Sequence, residues 1–179
     1  PYRKNSLKKG DEVLIPAVCW PTSFWPIVQS GLKPIFVDVE KETFNICLKD
    51  LKKKISKKTK ALMLVHVLGN SPDMQKLMNI INKKKIILIE DTCESIGAKF
   101  KGKYLGTFGQ FSSFSFYYSH QISSVEGGMI SCKTRTDQDI IKSLRSHGWA
   151  RDLSNQKNIE KKNKNINKKF LFINSGFNF

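Results

Sequence analysis

Polar side chains collect at three places where an apolar run ends: Cys19-Trp20, the stretch from Asp91 to Glu94, and the stretch from Ser115 to His120. In an open α/β sheet, ligands bind just beyond the carboxyl ends of the strands, so these are the first candidates for chemistry. An acid at such a strand end, here Asp91, can pair with a protonated ring nitrogen of a cofactor. Equally, it can cap a short helix, which is a common use of Asp. Ser115, Ser119 and His120 follow a strand rich in Phe and Tyr, a setting suited to holding a phosphate and a proton-transfer group. Histidine, with an unperturbed pKa of about 6.5, serves as acid or base near neutrality, although most histidines are structural. His66 lies inside an apolar run and reads as a hydrogen-bonded core residue. His147 is expected to close a helix, where a cation suits the dipole. Trp20 can stack on a flat ring or simply pack, and Gly127-Gly128 can admit a close backbone approach or form a tight turn.

These residues need a scaffold of alternating strands and helices, and the apolar pattern supplies one. Short runs at 13–15, 35–37, 61–67 and 86–89 alternate with stretches at 48–55 and 74–81, whose apolar residues recur at spacings of three and four. That rhythm predicts βα units and a mostly parallel sheet covered on both faces. Beyond Asp91, strands are expected at 114–117 and 129–132, then a helix from about 137 to 147. The division expected is a core over 1–152, a mobile Lys/Asn-rich surface loop over 153–170, and the start of a further part over 171–179. Pro1 in place of Met and the abrupt final residues suggest an internal piece of a longer chain.

With 179 residues and 40% hydrophobic content, the chain can bury one good-sized core. The formal net charge of +16 invites a nucleic-acid or membrane partner. The lysines, however, are scattered in runs such as 52–54 and 83–85, as solvated faces would be, and Asn, Ile and Lys are all frequent, as an AT-rich coding sequence would produce. Neither nucleic acid nor membrane is therefore expected as a partner. The four cysteines show no CxxC pair, so no metal site is signalled, and reduced thiols in a cytoplasmic protein fit best. No GxGxxG or GxxxxGKS motif is present, which removes the main support for dinucleotide and P-loop readings.

Several ordered segments together resemble the DegT/DnrJ/StrS family of pyridoxal-phosphate-dependent nucleotide-sugar enzymes. They are Gly10-Asp11-Glu12-Val13-Leu14-Ile15-Pro16-Ala17, Pro34-Ile35-Phe36-Val37-Asp38-Val39, His66-Val67-Leu68-Gly69-Asn70, Glu90-Asp91-Thr92-Cys93-Glu94-Ser95-Ile96-Gly97-Ala98, Glu126-Gly127-Gly128-Met129 and the closing Gly176-Phe177-Asn178-Phe179. The resemblance implies the large domain of a fold type I transferase, a three-layer αβα arrangement. It also implies that Asp91 pairs with the pyridine nitrogen, Glu94 lies near the ring hydroxyl, Trp20 stacks on the ring and Ser115 contacts the phosphate.

One departure from the family pattern is informative. In the family's transaminases the serine of this strand is followed five residues later by the lysine that links covalently to the cofactor; here Ser115 is followed by His120. An imidazole cannot make that link, so the cofactor would be held without a covalent bond and its amine form, pyridoxamine phosphate, could accumulate. The setting Tyr118-Ser119-His120-Gln121-Ile122-Ser123 is similar to the family's sugar 3-dehydratase branch, in which the histidine is the base. The resemblance then implies loss of the C3 hydroxyl from a nucleotide-linked 4-keto-6-deoxyhexose, glutamate as amino donor, a homodimer, and a product destined for a surface polysaccharide. The separated cysteines favour the cluster-free subgroup over the iron-sulfur one. Two other readings stay open: a sugar aminotransferase using another lysine, with Lys133 poorly placed by sequence, and a catalytically silent protein on the same fold.

Overall fold

A computed structural model of the chain describes residues 6–177. They form two compact units that divide between Ser131 and Cys132.

The first unit contains β1 (Glu12–Pro16), α1 (Pro21–Gln29), β2 (Lys33–Val37), α2 (Leu48–Lys54), β3 (Thr59–Val65), α3 (Met74–Lys83), β4 (Ile87–Asp91), the two-residue strands β5 (Lys99–Phe100) and β6 (Lys103–Tyr104), β7 (Phe111–Ser115) and β8 (Gly128–Cys132). Six strands make one sheet in the order β2-β1-β3-β4-β7-β8. The pairs β1–β2, β1–β3, β3–β4 and β4–β7 are all parallel.

Alternation of side chains along each strand divides the core in two. Leu14, Leu62, Leu64 and Leu88 face the layer of α2 and α3, where they meet Leu51, Met74, Leu77 and Ile81. Val13, Ile15 and Ala61 face the other way and pack with Ile27 and Phe24 of α1. The result is the expected three-layer α/β arrangement. Both faces of the central strands are dry, which is why these strands read as continuous apolar runs.

Helix α3 follows its sequence pattern. Met74, Leu77 and Ile81 are buried at a spacing that lines one face, and Asp73 caps the helix by accepting the Lys76 N–H at 3.0 Å. Helix α1 is different, because no hydrophobic period marks it and Pro26 lies inside it. Pro21 at its first position, where the missing N–H costs nothing, starts the helix instead. The expected strand 114–117 is found earlier, at 111–115, since pairing with β4 runs through Phe111, Ser112 and Ser113.

In the second unit α4 (Arg135–Leu144) starts two residues earlier than expected, because the Thr134 hydroxyl accepts the Asp137 N–H at 3.1 Å and donates to its carboxylate at 2.7 Å. It ends at Leu144, so His147 does not close the helix; it lies beyond it with a φ of 56° and donates its N–H to the Phe177 carbonyl. The stretch expected to be a mobile loop holds α5 (Gln156–Lys162) and a short 3-10 turn at Lys168–Phe170. Ile159 of α5 packs against Ala150, Leu153 and Leu171, giving this polar segment an anchor. Asn178 and Phe179 of the family-like closing segment lie outside the described residues.

Candidate functional site

Asp91 is the last residue of β4, and the parallel register sets it beside Ser113 of β7. With a period of two, Asp91, Ser113 and Ser115 point to the same side of the sheet, the side that α1 covers. Asp91 Oδ2 accepts a hydrogen bond from the Ser23 hydroxyl of α1 at 2.5 Å. Its Oδ1 accepts the Cys93 N–H at 3.1 Å and faces the Ser113 hydroxyl at 3.5 Å. Asp91 therefore fixes the turn that follows it, with no helix there for it to cap as the capping alternative expected, and it is also held by two side chains from other elements.

The other candidates are held by local hydrogen bonds at the start of α1 and in the turns that follow β4 and β7. The Ser23 N–H donates to the Trp20 carbonyl at 3.0 Å, so Trp20 stands one turn before Ser23 at the start of α1. Trp20 is 73% exposed in this chain. Glu94 is exposed in the turn after β4 and accepts the Leu68 N–H at 3.4 Å. Its carbonyl accepts from the Gln121 side chain at 2.6 Å, which ties this turn to the one carrying His120. Ser115 accepts the Tyr117 N–H at 3.2 Å, and the Tyr117 carbonyl accepts the His120 N–H at 3.0 Å. The His120 ring meets the Tyr117 ring edge-on at 5.9 Å, and its Nδ1 is enclosed without a hydrogen-bond partner.

Behind this array lies a buried network on the opposite side of β4. Glu90 accepts from His66 Nε2 at 2.9 Å and from the N–H groups of Gly106, Phe108 and Gly109 at 2.9, 2.8 and 2.6 Å. Burial works against the ionised form, yet His66 and the N–H groups of Gly109 and Gly106 outweigh it and hold the carboxyl below its ordinary value. His66 is thus the core histidine expected. The Ser95 hydroxyl donates to its carbonyl at 2.7 Å and its N–H donates to the Asp91 carbonyl at 3.1 Å, so the network grips the turn after β4 directly.

Two thiols lie near Asp91. Burial, together with Asp91, pushes Cys93 up to about 12 and raises Cys19 as well, so both stay protonated at neutral pH. Sequence reasoning passed over Ser23, Ser113 and the partners of Glu90. Among the described residues no group of three or more His, Cys, Asp or Glu is placed to hold a metal ion, and no helix is long and apolar enough to cross a membrane. Lysines from the two runs read as scattered do approach one another: Lys52, Lys83 and Lys84, with Lys49 and Lys76, line a groove of about 520 Å³ between α2 and α3. That groove contains none of the candidate residues.

The residues present fit a pyridine-type cofactor: a held carboxylate for a ring N–H, an exposed indole for a ring face, a serine for a phosphate, and an imidazole with an unpartnered nitrogen. Comparison with known proteins points the same way. The chain is 40% identical over 178 residues to the GDP-4-keto-6-deoxy-D-mannose 3-dehydratase of Escherichia coli O55:H7, covering 98% of this chain and 46% of that protein. It is 38% identical to the GDP-perosamine synthase of Escherichia coli O157:H7, over 80% of this chain and 40% of that one. The solved structure of the E. coli GDP-4-keto-6-deoxy-D-mannose-3-dehydratase with bound hydrated PLP superposes with a TM-score of 0.90 at 39% identity, covering 98% of this chain and 46% of that one. An aminotransferase from Psychrobacter cryohalolentis follows at 0.82 and 25%, covering 96% of this chain and 42% of that one. The chain thus spans about half the length of the relatives it matches. A family model matches residues 2–179, and the chain belongs to the DegT/DnrJ/EryC1/StrS aminotransferase family.

Proposed function

We propose that the chain is the central part of a pyridoxal-phosphate-dependent nucleotide-sugar 3-dehydratase, which removes the C3 hydroxyl of a nucleotide-linked 4-keto-6-deoxyhexose on the way to a 3,6-dideoxysugar of a surface polysaccharide. The observation that carries this reading is His120 at the position where the family's transaminases place lysine, in a chain 40% identical along 98% of its length to a relative bearing that activity's name.

When bound, the cofactor supplies an electron-withdrawing ring that drains charge from the bonds beside its amine-bearing carbon. The chain's own residues do the rest. Asp91 holds the proton on the ring nitrogen, and Ser23 and the Cys93 N–H hold Asp91. Trp20 covers one ring face and keeps water from it. Ser115 donates to the phosphate, and Glu94 faces the ring hydroxyl. An imidazole nitrogen of His120 would be the group that holds and returns a proton beside the bound cofactor, as the base of this site. With His120 in place of a lysine, this position would offer no amine for a covalent link to the cofactor.

Glutamate is the amino donor on this reading. The complete protein is a cytoplasmic homodimer, and the missing segments complete the phosphate and substrate pockets. No cysteine cluster is needed.

The test is borohydride treatment of the complete protein loaded with pyridoxal phosphate, followed by peptide mass analysis. Bound cofactor without any lysine adduct is expected. An adduct on Lys133, or on any other lysine, returns the protein to the aminotransferases.

A further inference from the structure

We propose that Ser23 is a positioning residue for the cofactor: through one hydrogen bond it orients the Asp91 carboxylate and fixes it relative to Trp20. This rests on the functional reading above.

Ser23 is 4% exposed, on the α1 face turned to the sheet, and its hydroxyl reaches Asp91 Oδ2 at 2.5 Å across 68 residues of sequence. A carboxylate offers about four lone-pair directions. Three donors already address Asp91: Ser23 from α1 on Oδ2, and on Oδ1 the Cys93 N–H from the turn and, at 3.5 Å, Ser113 from β7. These donors come from three separate elements, and the Cys93 thiol bears on the same carboxylate, so together they define its plane.

Ser23 donates to Oδ2, and its bond is shorter than those of the Cys93 N–H and Ser113. Rotation of the carboxylate about its last torsion is therefore governed by the Ser23 hydroxyl more than by the 3.5 Å contact with Ser113. The same residue donates its N–H to the Trp20 carbonyl at 3.0 Å. One residue thereby sets the spacing between the group that pairs with a ring's edge and the group that covers its face. A flat heteroaromatic ring needs both at a fixed separation, whereas a core contact would need neither the hydroxyl nor its short bond.

The experiment compares the complete protein with its Ser23→Ala, Ser23→Thr and Ser23→Cys variants, reading two quantities. One is the dissociation constant for pyridoxamine phosphate by equilibrium dialysis; the other is the 15N shift of the ring nitrogen in the labelled cofactor. For Ser23→Ala we expect about tenfold weaker binding, in line with loss of a hydrogen bond to a charged group, and a 15N signal displaced toward that of unprotonated pyridine. Ser23→Thr, which keeps the hydroxyl, restores both. Ser23→Cys keeps the volume but donates poorly, so it behaves as alanine does and serves in its place if Ser23→Ala does not fold. Parent-like affinity and 15N shift in folded Ser23→Ala or Ser23→Cys overturn the assignment of Ser23 alone, as does a Ser23→Thr variant that fails to restore them. A parent protein that takes up no cofactor overturns both the assignment and the functional reading.

Discussion

Glu90 and His66 face each other at 2.9 Å in the interior of the first unit, both side chains fully shielded from solvent. Glu90 is on β4 and His66 directly follows the end of β3, and Glu90 also gathers three backbone N–H groups of the segment between β6 and β7. A buried carboxylate with four donors links β3, β4 and the approach to β7 at a single atom pair, so the ends of the strands that carry Asp91 and Ser115 cannot shift independently.

Glu90→Leu leaves His66 Nε2 and three N–H groups without acceptors. Breaking a buried charged network in this way costs about 3–5 kcal/mol, and urea unfolding followed by circular dichroism will read it as a lower midpoint. The pH dependence follows from the depressed carboxyl value. The stabilisation is fully present above the unfolded value of 4.5 and is lost as pH falls through the folded value. The parent protein should therefore lose stability steeply below pH 4.5, and Glu90→Gln should flatten that slope.

Cys93 should resist alkylation. With its thiol held up to about 12 by burial and by Asp91, the reactive thiolate is scarce at pH 8. Iodoacetamide labelling followed by mass spectrometry should find Cys93 slower than a free model thiol by more than a hundredfold. Asp91→Asn should speed it up, since it removes the neighbouring negative charge.

Trp20→Ala should separate binding from folding. Because the indole is 73% exposed, its removal should leave the thermal midpoint within a degree or two. If it covers a cofactor ring, binding of pyridoxal phosphate should weaken by roughly three- to tenfold, the range for an aromatic stacking pair. A thermal melt of the complete protein reads the first, and a fluorescence-monitored titration with the cofactor reads the second.

Gly148→Ala tests the second unit. Gly148 has a φ of 91°, and a Cβ there would lie 1.9 Å from the Asn174 carbonyl oxygen, a backbone atom that cannot swing aside. Strain and clash together cost about 2–4 kcal/mol. Hydrogen exchange should show amides of 144–150 and 171–177 losing protection while those of β1, β3 and β4 keep theirs.

The strands that frame the site were legible because they are buried on both faces, so that Val13, Leu14 and Ile15 form an uninterrupted run. Asp91, Ser115 and His120 were found because polar residues at the ends of such runs stand out. Helix α1 was not legible: Pro26 interrupts it, and Phe24, Trp25 and Val28 are only partly covered, so no clear period emerges. Ser23 was passed over with it. The work of Glu90 was invisible for another reason, since three of its four partners are backbone groups that no side-chain pattern reports. Helix α5 was read as loop because Lys and Asn dominate it, and its single anchor, Ile159, is too little to reveal a period.

The Ser23–Asp91 bond joins chain positions 68 residues apart, and the elements between them include two strands and two helices. Such a contact closes only after the intervening parallel crossovers have docked, because the entropy of ordering a long loop must be spent before a distant pair can meet. The orientation of the Asp91 carboxylate is therefore expected among the last features to form as the chain folds, so this end of the sheet is a product of completed folding rather than a seed for it.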